Sequence, residues 1–285
     1  MKIEEIKLKD FYDKHNTSIY GMHRYADSVA LLYHENSKND RFSSRRQGQS
    51  ITDFNNDYIN KRASQPYKVY PQAKKYSFAP FRGQDLPDKD FFELVRKRRS
   101  VRNFADQKLT MSELYTLCQY TYGITAEAKN DVDGMDGAWA YRCVPSPGAL
   151  YSMELYLVIL NAEIPSGLYH YRPDINSLEL IMEGHLYEKL NRLIVAEPLI
   201  ELENAGCVFI ATSMLERLFV KYGERAYRLM LLEAGALSQN LTLTCDAIGW
   251  GSCWVGSYLD DQLNEFMGID GLSETVQNVV IVGKK

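Results

Sequence analysis

Arg98-Arg99-Ser100-Val101-Arg102-Asn103-Phe104 is the stretch on which the reading of this chain turns. In extended backbone, side chains at i, i+2 and i+4 point to one side. Arg98, Ser100 and Arg102 would then present two guanidinium forks flanking a hydroxyl. Arginine grips a phosphate through paired, charge-assisted hydrogen bonds, and a serine hydroxyl can fill the gap between two forks. The same residues also suit a solvated basic turn at a helix C-terminus, where cations offset the helix dipole. Spacing alone favours the basic turn, so the surroundings have to decide.

Those surroundings are of ordinary globular composition. The 285 residues are 45% hydrophobic and 25% charged, with a net charge of -4. That balance argues against a nucleic-acid binder, which needs a basic surface to neutralise phosphates, but leaves room for a local basic pocket. Residues 1–10 carry too many charges for a signal peptide, and no apolar run reaches the roughly 18 residues that span a bilayer. The five cysteines form no C-x-x-C pair and are odd in number, so a reducing cytoplasm is the expected setting, without disulfides or structural zinc. The 20 tyrosines are spread along the chain and read as packing residues.

Residues 34–76 differ from the rest: polar, thin in apolar residues and without a sustained period. They read as a loosely packed arm, one that could wrap a partner or add to a peptide-binding surface. Regular patterning begins at Asp88. Phe91, Phe92 and Val95 predict a short helix that ends at the basic cluster. Thr110 with Glu113 fits a capping box, Leu114, Leu117 and Cys118 follow at helical spacing, and Gly123 is placed to stop that helix. Residues 154–160 read as a buried strand, 167–172 and 177–181 as a hairpin, 185–195 as a helix and 206–212 as a second buried strand. The strongest local signal is 224–248. Tyr227, Leu231, Ala234, Ser238, Leu241, Cys245 and Ile248 line one face of a long helix, while Leu229, Leu232 and Leu243 make its other side apolar as well. A short helix over 260–267 and a strand over 276–282 complete a single α+β domain, with no repeat and no regular βαβ alternation.

Several chemistries lack their motif. Gly249-Trp250-Gly251 puts Trp254 where a dinucleotide fingerprint needs its third glycine, and it follows a helix rather than a strand. There is no G-x-x-x-x-G-K-[ST]. The five histidines form no zinc-type pair, and Ser146 sits in no G-x-S-x-G elbow.

Three further segments change the weight of the basic stretch. The first is Tyr141-Arg142-Cys143-Val144-Pro145-Ser146-Pro147-Gly148-Ala149-Leu150-Tyr151, followed by Glu154-Leu155-Tyr156. The second is Lys221-Tyr222-Gly223-Glu224-Arg225-Ala226-Tyr227-Arg228, leading into Leu232-Glu233-Ala234-Gly235. The third runs from Gly249-Trp250-Gly251-Ser252 to Gly256-Ser257-Tyr258. Read bare, they are a loop, a surface lysine beside a core tyrosine, and a helix-to-strand turn. Together with Arg98-x-Ser100-x-Arg102-x-Phe104 they resemble the nitroreductase superfamily, and within it the SagB-type or McbC-like FMN-dependent dehydrogenases that oxidise azolines in ribosomal peptides. The matches cover residues 88–283 in order, while the first 85 residues match only loosely.

The resemblance implies an α+β nitroreductase-like fold, a mixed or antiparallel central sheet flanked by helices, in a homodimer with FMN at its interface. It divides the chain into an N-terminal extension, 1–85, and an FMN-binding domain, 86–285. It places Arg98, Ser100 and Arg102 on the FMN phosphate and ribityl chain, Pro145, Ser146 and Gly148 along the flavin, and Gly256 and Ser257 with their amides toward its reactive edge. Lys221 and Tyr222 become the catalytic pair, and Lys284 and Lys285 stand where some members carry a further phosphate cation. The loop departs from the family run, with Pro147 in place of a glycine and Ser152 in place of the closing proline; Pro147 has no N–H to give.

In chemical terms, a nearby ammonium favours tyrosinate, whereas a desolvated neutral lysine can itself take a proton, so either partner could be the base. The implied activity is oxidation of a peptide, azoline to azole, beside a cyclodehydratase partner that makes the azoline, with no nucleic acid and no membrane involved. The alternatives are an NAD(P)H-dependent reductase of small molecules on the same fold and a non-catalytic scaffold subunit.

Overall fold

A computed structural model describes residues 28–39, 41–54, 56–129 and 138–285. The chain divides into two compact units, Met1–Gly48 and Gln49–Lys285. In the first lies helix Val29–Asn36, whose N-cap Ser28 accepts a hydrogen bond from the Ala30 N–H, and the opening of helix Arg41–Phe54.

The second unit is built on a seven-stranded antiparallel sheet in the order β1-β6-β5-β4-β7-β9-β8. The strands are β1 (Lys74–Ser77), β4 (Met153–Ile159), β5 (Gly167–Arg172), β6 (Ser177–Glu183), β7 (Cys207–Met214), β8 (Trp250–Val255) and β9 (Glu274–Lys284). A separate hairpin pairs β2 (Ile124–Lys129) with β3 (Ala138–Arg142). Every residue of β4 is buried, because both faces of the sheet are covered. Side chains alternate between two cores as the pleat requires. Leu155, Leu157, Phe209, Ala211, Val280 and Val282 point into one, which also holds the helices Met111–Tyr122 and Ala226–Ala247. Tyr156, Val158, Val208, Ile210, Val279 and Ile281 point into the other, closed by Leu186, Leu190, Leu263 and Met267.

The α+β, nitroreductase-like class holds, and the predicted capping box at Thr110 and Glu113 is formed at the start of Met111–Tyr122. Two expectations are corrected. Residues 34–76 contain helices Arg41–Phe54 and Asp57–Ala63 and the edge strand β1. Phe54 lies in the main core, and β1 pairs with β6 from Lys74↔Leu180 to Ser77↔Ser177. An edge strand with exposed side chains on both faces needs no hydrophobic alternation, so its sequence carried no period. The long helix buries the expected Ala234, Ser238, Leu241 and Cys245, but in its first two turns Ala226 and Met230 point inward in place of Tyr227 and Leu231. Leu231 and Leu232 are exposed instead, Leu232 at 69%. An apolar spacing that runs on several faces of a helix cannot by itself say which face meets the sheet.

Candidate active site

Glu233 is the hub of the loop that precedes β4. It is buried on the sheet side of the long helix and accepts hydrogen bonds from Ser146 Oγ (2.7 Å), Ser152 Oγ (3.0 Å) and Tyr122 Oη (2.8 Å). Ser146 Oγ in turn accepts from the Tyr151 N–H at 2.9 Å. This bracing has a purpose. Gly148, Ala149 and Tyr151 have φ of 63°, 54° and 46°, the left-handed region that costs an L-residue about 1–2 kcal/mol. Arg142 adds support. Its buried guanidinium stacks on the rings of Tyr122 (4.2 Å) and Tyr151 (4.9 Å) and donates to the Pro66 carbonyl.

The braced loop presents Gly148 to the pair Lys221 and Tyr222, which close helix Glu216–Tyr222. A Cβ on Gly148 would lie 2.7 Å from Tyr222 Oη and 3.1 Å from Lys221 Nζ. Lys221 Nζ stands 4.7 Å from the centre of the Phe54 ring, and among the described residues it has no ion pair and no hydrogen bond. Burial draws the Lys221 ammonium below the ordinary lysine value and pushes the Tyr222 phenol above the ordinary tyrosine value. Burial thus favours the neutral form of both groups. Gly148→Ala is expected to displace both side chains and to lower turnover on the order of 10²-fold, the usual cost of about 1 Å of misplacement. Chemical denaturation should change by only about 1–2 kcal/mol, the left-handed penalty. Equal turnover in the variant would show that the close approach is incidental.

The basic stretch lies elsewhere on the sheet. Helix Phe91–Lys97 ends at Arg98, where the backbone turns extended, and the chain then runs beside β8 and β9. The Val101 N–H donates to the Ser252 carbonyl at 2.9 Å, and the Ala105 N–H donates to that of Lys284 at 2.9 Å. Gly251 and Gly283 make this possible: a Cβ on either would run into Val101 or Phe104. Burial pushes the Cys253 thiol up, and the nearby Arg102 and Ser100 oppose the shift. Arg98 and Arg102 form no ion pair among the described residues. Gly256 and Ser257 follow β8 directly, both exposed, with the Ser257 carbonyl accepting from the Val195 N–H.

These features coincide with a known family. The nitroreductase family profile matches residues 95–284, two thirds of the chain. The chain belongs to the nitroreductase family. Membership marks it as an oxidoreductase. It is 28% identical over 186 residues to the nitroreductase-family protein MJ1384 of Methanocaldococcus jannaschii, covering 65% of this chain and 87% of that protein. It is 30% identical over 135 residues to the microcin B17-processing protein McbC of Escherichia coli, covering 45% of this chain and 49% of McbC. A solved nitroreductase-family structure from Anabaena variabilis superimposes with a TM-score of 0.68 at 24% identity, over 90% of this chain and 46% of that one. The E. coli microcin synthetase McbBCD complex with truncated pro-MccB17 bound gives 0.56 at 21%, over 91% of this chain and 98% of that one. These two likenesses show the fold.

The fold brings Gly148 to Lys221 and Tyr222, and Ser100 and Arg102 to β8. It joins the two groups by no hydrogen bond or ion pair among the described residues. The strip lies beside Ser252, which is opposite Val282 and so level with Cys207, where β7 begins; Lys221 and Tyr222 come after Met214, where β7 ends. Ser146 spends its hydroxyl inside the Glu233 network. Lys285 is paired with Asp246, and Lys284 lies over the Trp250 ring. Glu233 and Arg142 fall within the segments that carry the family resemblance but were given no role from sequence, and Phe54 was not singled out. Glu233 had one available signal, a carboxylate on the buried stripe of an apolar helix. Among the described residues no cluster of His, Cys, Asp or Glu is arranged to hold a metal ion, and no helix is long and apolar enough to cross a membrane.

Proposed function

We infer that this protein is an FMN-dependent dehydrogenase that oxidises a peptide, converting an azoline to an azole. The observation that carries the reading is the free amine of Lys221 beside the Tyr222 phenol, both against the backbone of Gly148. The similarity to McbC, named for processing microcin B17, supports a peptide as substrate.

Across the homodimer of this reading the residues present fit FMN: within one chain the Arg98–Arg102 strip and Gly148 lie at opposite ends of β7, so one protomer would supply the phosphate site and its partner the ring contacts. Arg98, Ser100 and Arg102 offer two unpaired guanidinium groups and a hydroxyl for its phosphate, and the exposed backbones of Gly148 and Gly256 permit close approach. Pro145, the backbone of Ser146 and Ser257 complete the set that would hold it, with residues 86–285 as the cofactor domain. When bound, FMN supplies a two-electron acceptor for hydride. Each azoline ring loses two hydrogens, one as hydride and one as a proton. In this reading Lys221, whose burial favours the neutral amine, takes that proton, while Tyr222, whose burial favours the neutral phenol, orients the ring by donating a hydrogen bond. The setting is the cytoplasm, next to a cyclodehydratase that forms the ring.

Mass spectrometry of an azoline peptide incubated with the FMN-loaded protein tests this reading. The expected result is loss of two hydrogens per ring. Untouched peptide alongside NAD(P)H-driven reduction of nitroaromatics would replace it with the small-molecule reductase, and a protein that takes up no FMN would replace it with the scaffold.

The reading includes a homodimer. Phe91, Phe92 and Val95 are exposed on a helix that packs against the long helix, where Leu231 and Leu232 are exposed too. Large apolar side chains exposed on two packed helices suit an interface. Light scattering is expected to give twice 32.8 kDa for the native chain and a fall toward one copy for Phe92→Asp combined with Leu232→Asp. An unchanged mass would move the interface elsewhere.

A further inference from the structure

A cavity of about 340 Å³ opens beside the candidate catalytic pair. Its walls come from Phe54, Ile59, Ala63, Leu150 and Val220, with Tyr67 at one side. None of the eight residues assigned above to FMN lines it. It nevertheless shares structure with the reacting groups. Phe54 forms one wall and carries the Lys221 ammonium over its ring. Val220 immediately precedes Lys221, and Leu150 lies two residues beyond Gly148. Both sides of the catalytic cleft thus send their neighbouring side chains into this space.

Two of the four charged side chains around it are already held. Lys68 Nζ is held by Glu274 at 2.5 Å and Tyr156 Oη at 2.8 Å; Arg217 is held by Glu154 and the Tyr151 carbonyl. Arg62 and Glu216 are both exposed and opposite in sign. A neutralised, largely apolar cavity rewards an uncharged apolar occupant, and about 340 Å³ is near the lower end of ligand pockets, roughly 300–1,000 Å³. One bulky side chain fits that description. An extended peptide advances about 3.3–3.6 Å per residue, so a group adjoining Lys221 is reached from the next residue or the one after.

We propose that this cavity is a specificity subsite for a large aliphatic or aromatic side chain, one or two positions from the ring being oxidised. The proposal rests on the peptide-dehydrogenase reading and names which peptides that site accepts. The test uses FMN-loaded protein and azoline peptides that differ only at those positions, Phe or Leu against Gly. The native protein is expected to favour the bulky residue by roughly 10- to 200-fold in kcat/KM, the range for apolar pocket contacts. Ala63→Phe fills the cavity and should abolish that preference while the Gly peptide keeps its native kcat. Ile59→Ala enlarges the cavity and should shift the preference toward Trp, which covers the case in which Ala63→Phe fails to fold. Equal kcat/KM for Phe and Gly peptides, or a preference unchanged in both variants, overturns the subsite. Calorimetric binding of the matching azole peptides separates the two ideas. Tighter binding of the Phe peptide without turnover leaves the subsite standing and overturns the oxidation reading, whereas turnover with equal binding and equal kcat/KM does the reverse.

Discussion

Lys221→Ala is expected to lower peptide oxidation by about 10²- to 10⁴-fold, the usual worth of a positioned general base, with little change in flavin content. The expectation follows from three coincident facts. The ammonium has no carboxylate partner to hold its proton, burial draws its pKa down, and the neighbouring loop leaves only a glycine between it and the cleft. The native rate should rise with pH along an acid limb set by Lys221, with a midpoint below the ordinary lysine value of 10.5. Below that midpoint the amine is protonated and cannot accept. Tyr222→Phe keeps the ring and removes the donor, so it should slow turnover while leaving the acid limb in place. If instead Tyr222→Phe removes the acid limb and Lys221→Ala keeps it, the phenol is the base and the roles are exchanged.

Glu154→Ala is expected to destabilise the protein by about 3–5 kcal/mol, because removing one member of a buried ion pair strands the others. Glu154 accepts from His170 Nε2 at 2.7 Å and from Arg217. The other ring nitrogen of His170 faces Glu179 at 3.3 Å, and Glu179 also holds Arg172 at 3.0 Å. His170 is fully buried with a carboxylate at each nitrogen, and only the imidazolium has two donors to satisfy both. Burial opposes that charge, but the two glutamates outweigh it and raise the His170 pKa above 6.5. Glu154 and Glu179 are held below their ordinary 4.5 despite burial, Glu154 chiefly by Arg217 and Glu179 chiefly by His170. The signs set a window. The histidine contribution is complete below 6.5 and is lost as pH rises through its raised pKa; the glutamate contributions are complete above 4.5 and are lost as pH falls through their lowered ones. Urea unfolding across pH should show the alkaline decline in the native chain and a flatter one in His170→Gln. Identical alkaline limbs would mean that His170 is neutral in the folded protein.

Much of this was legible in the sequence because it is local. The capping box at Thr110 and the helix Asp260–Met267 are written in spacings of three or four residues, and the buried strands β4 and β7 in unbroken apolar runs, signals that survive in any surroundings. Strand β8 was missed as a strand because Trp250-Gly251-Ser252-Cys253 has no alternation; Gly251 is there to let Val101 lie against it, a demand from a distant segment. The helices within 41–63 were missed for a related reason. Their apolar residues are few, and Phe54 counts only because a core is there to receive it.

By itself, then, the sequence determined the α+β class, the family, and the residue types able to bind phosphate and move a proton, since these depend on order and identity along the chain. Only the tertiary structure decided that Glu233 braces the left-handed loop, that Gly148 meets Lys221 and Tyr222, that Phe54 lies under the amine, and that Leu232 faces outward. Each of these joins segments far apart in sequence, or chooses one apolar face over another. Desolvation of the amine, which turns a surface-type lysine into a candidate base, exists only once those segments have packed around it.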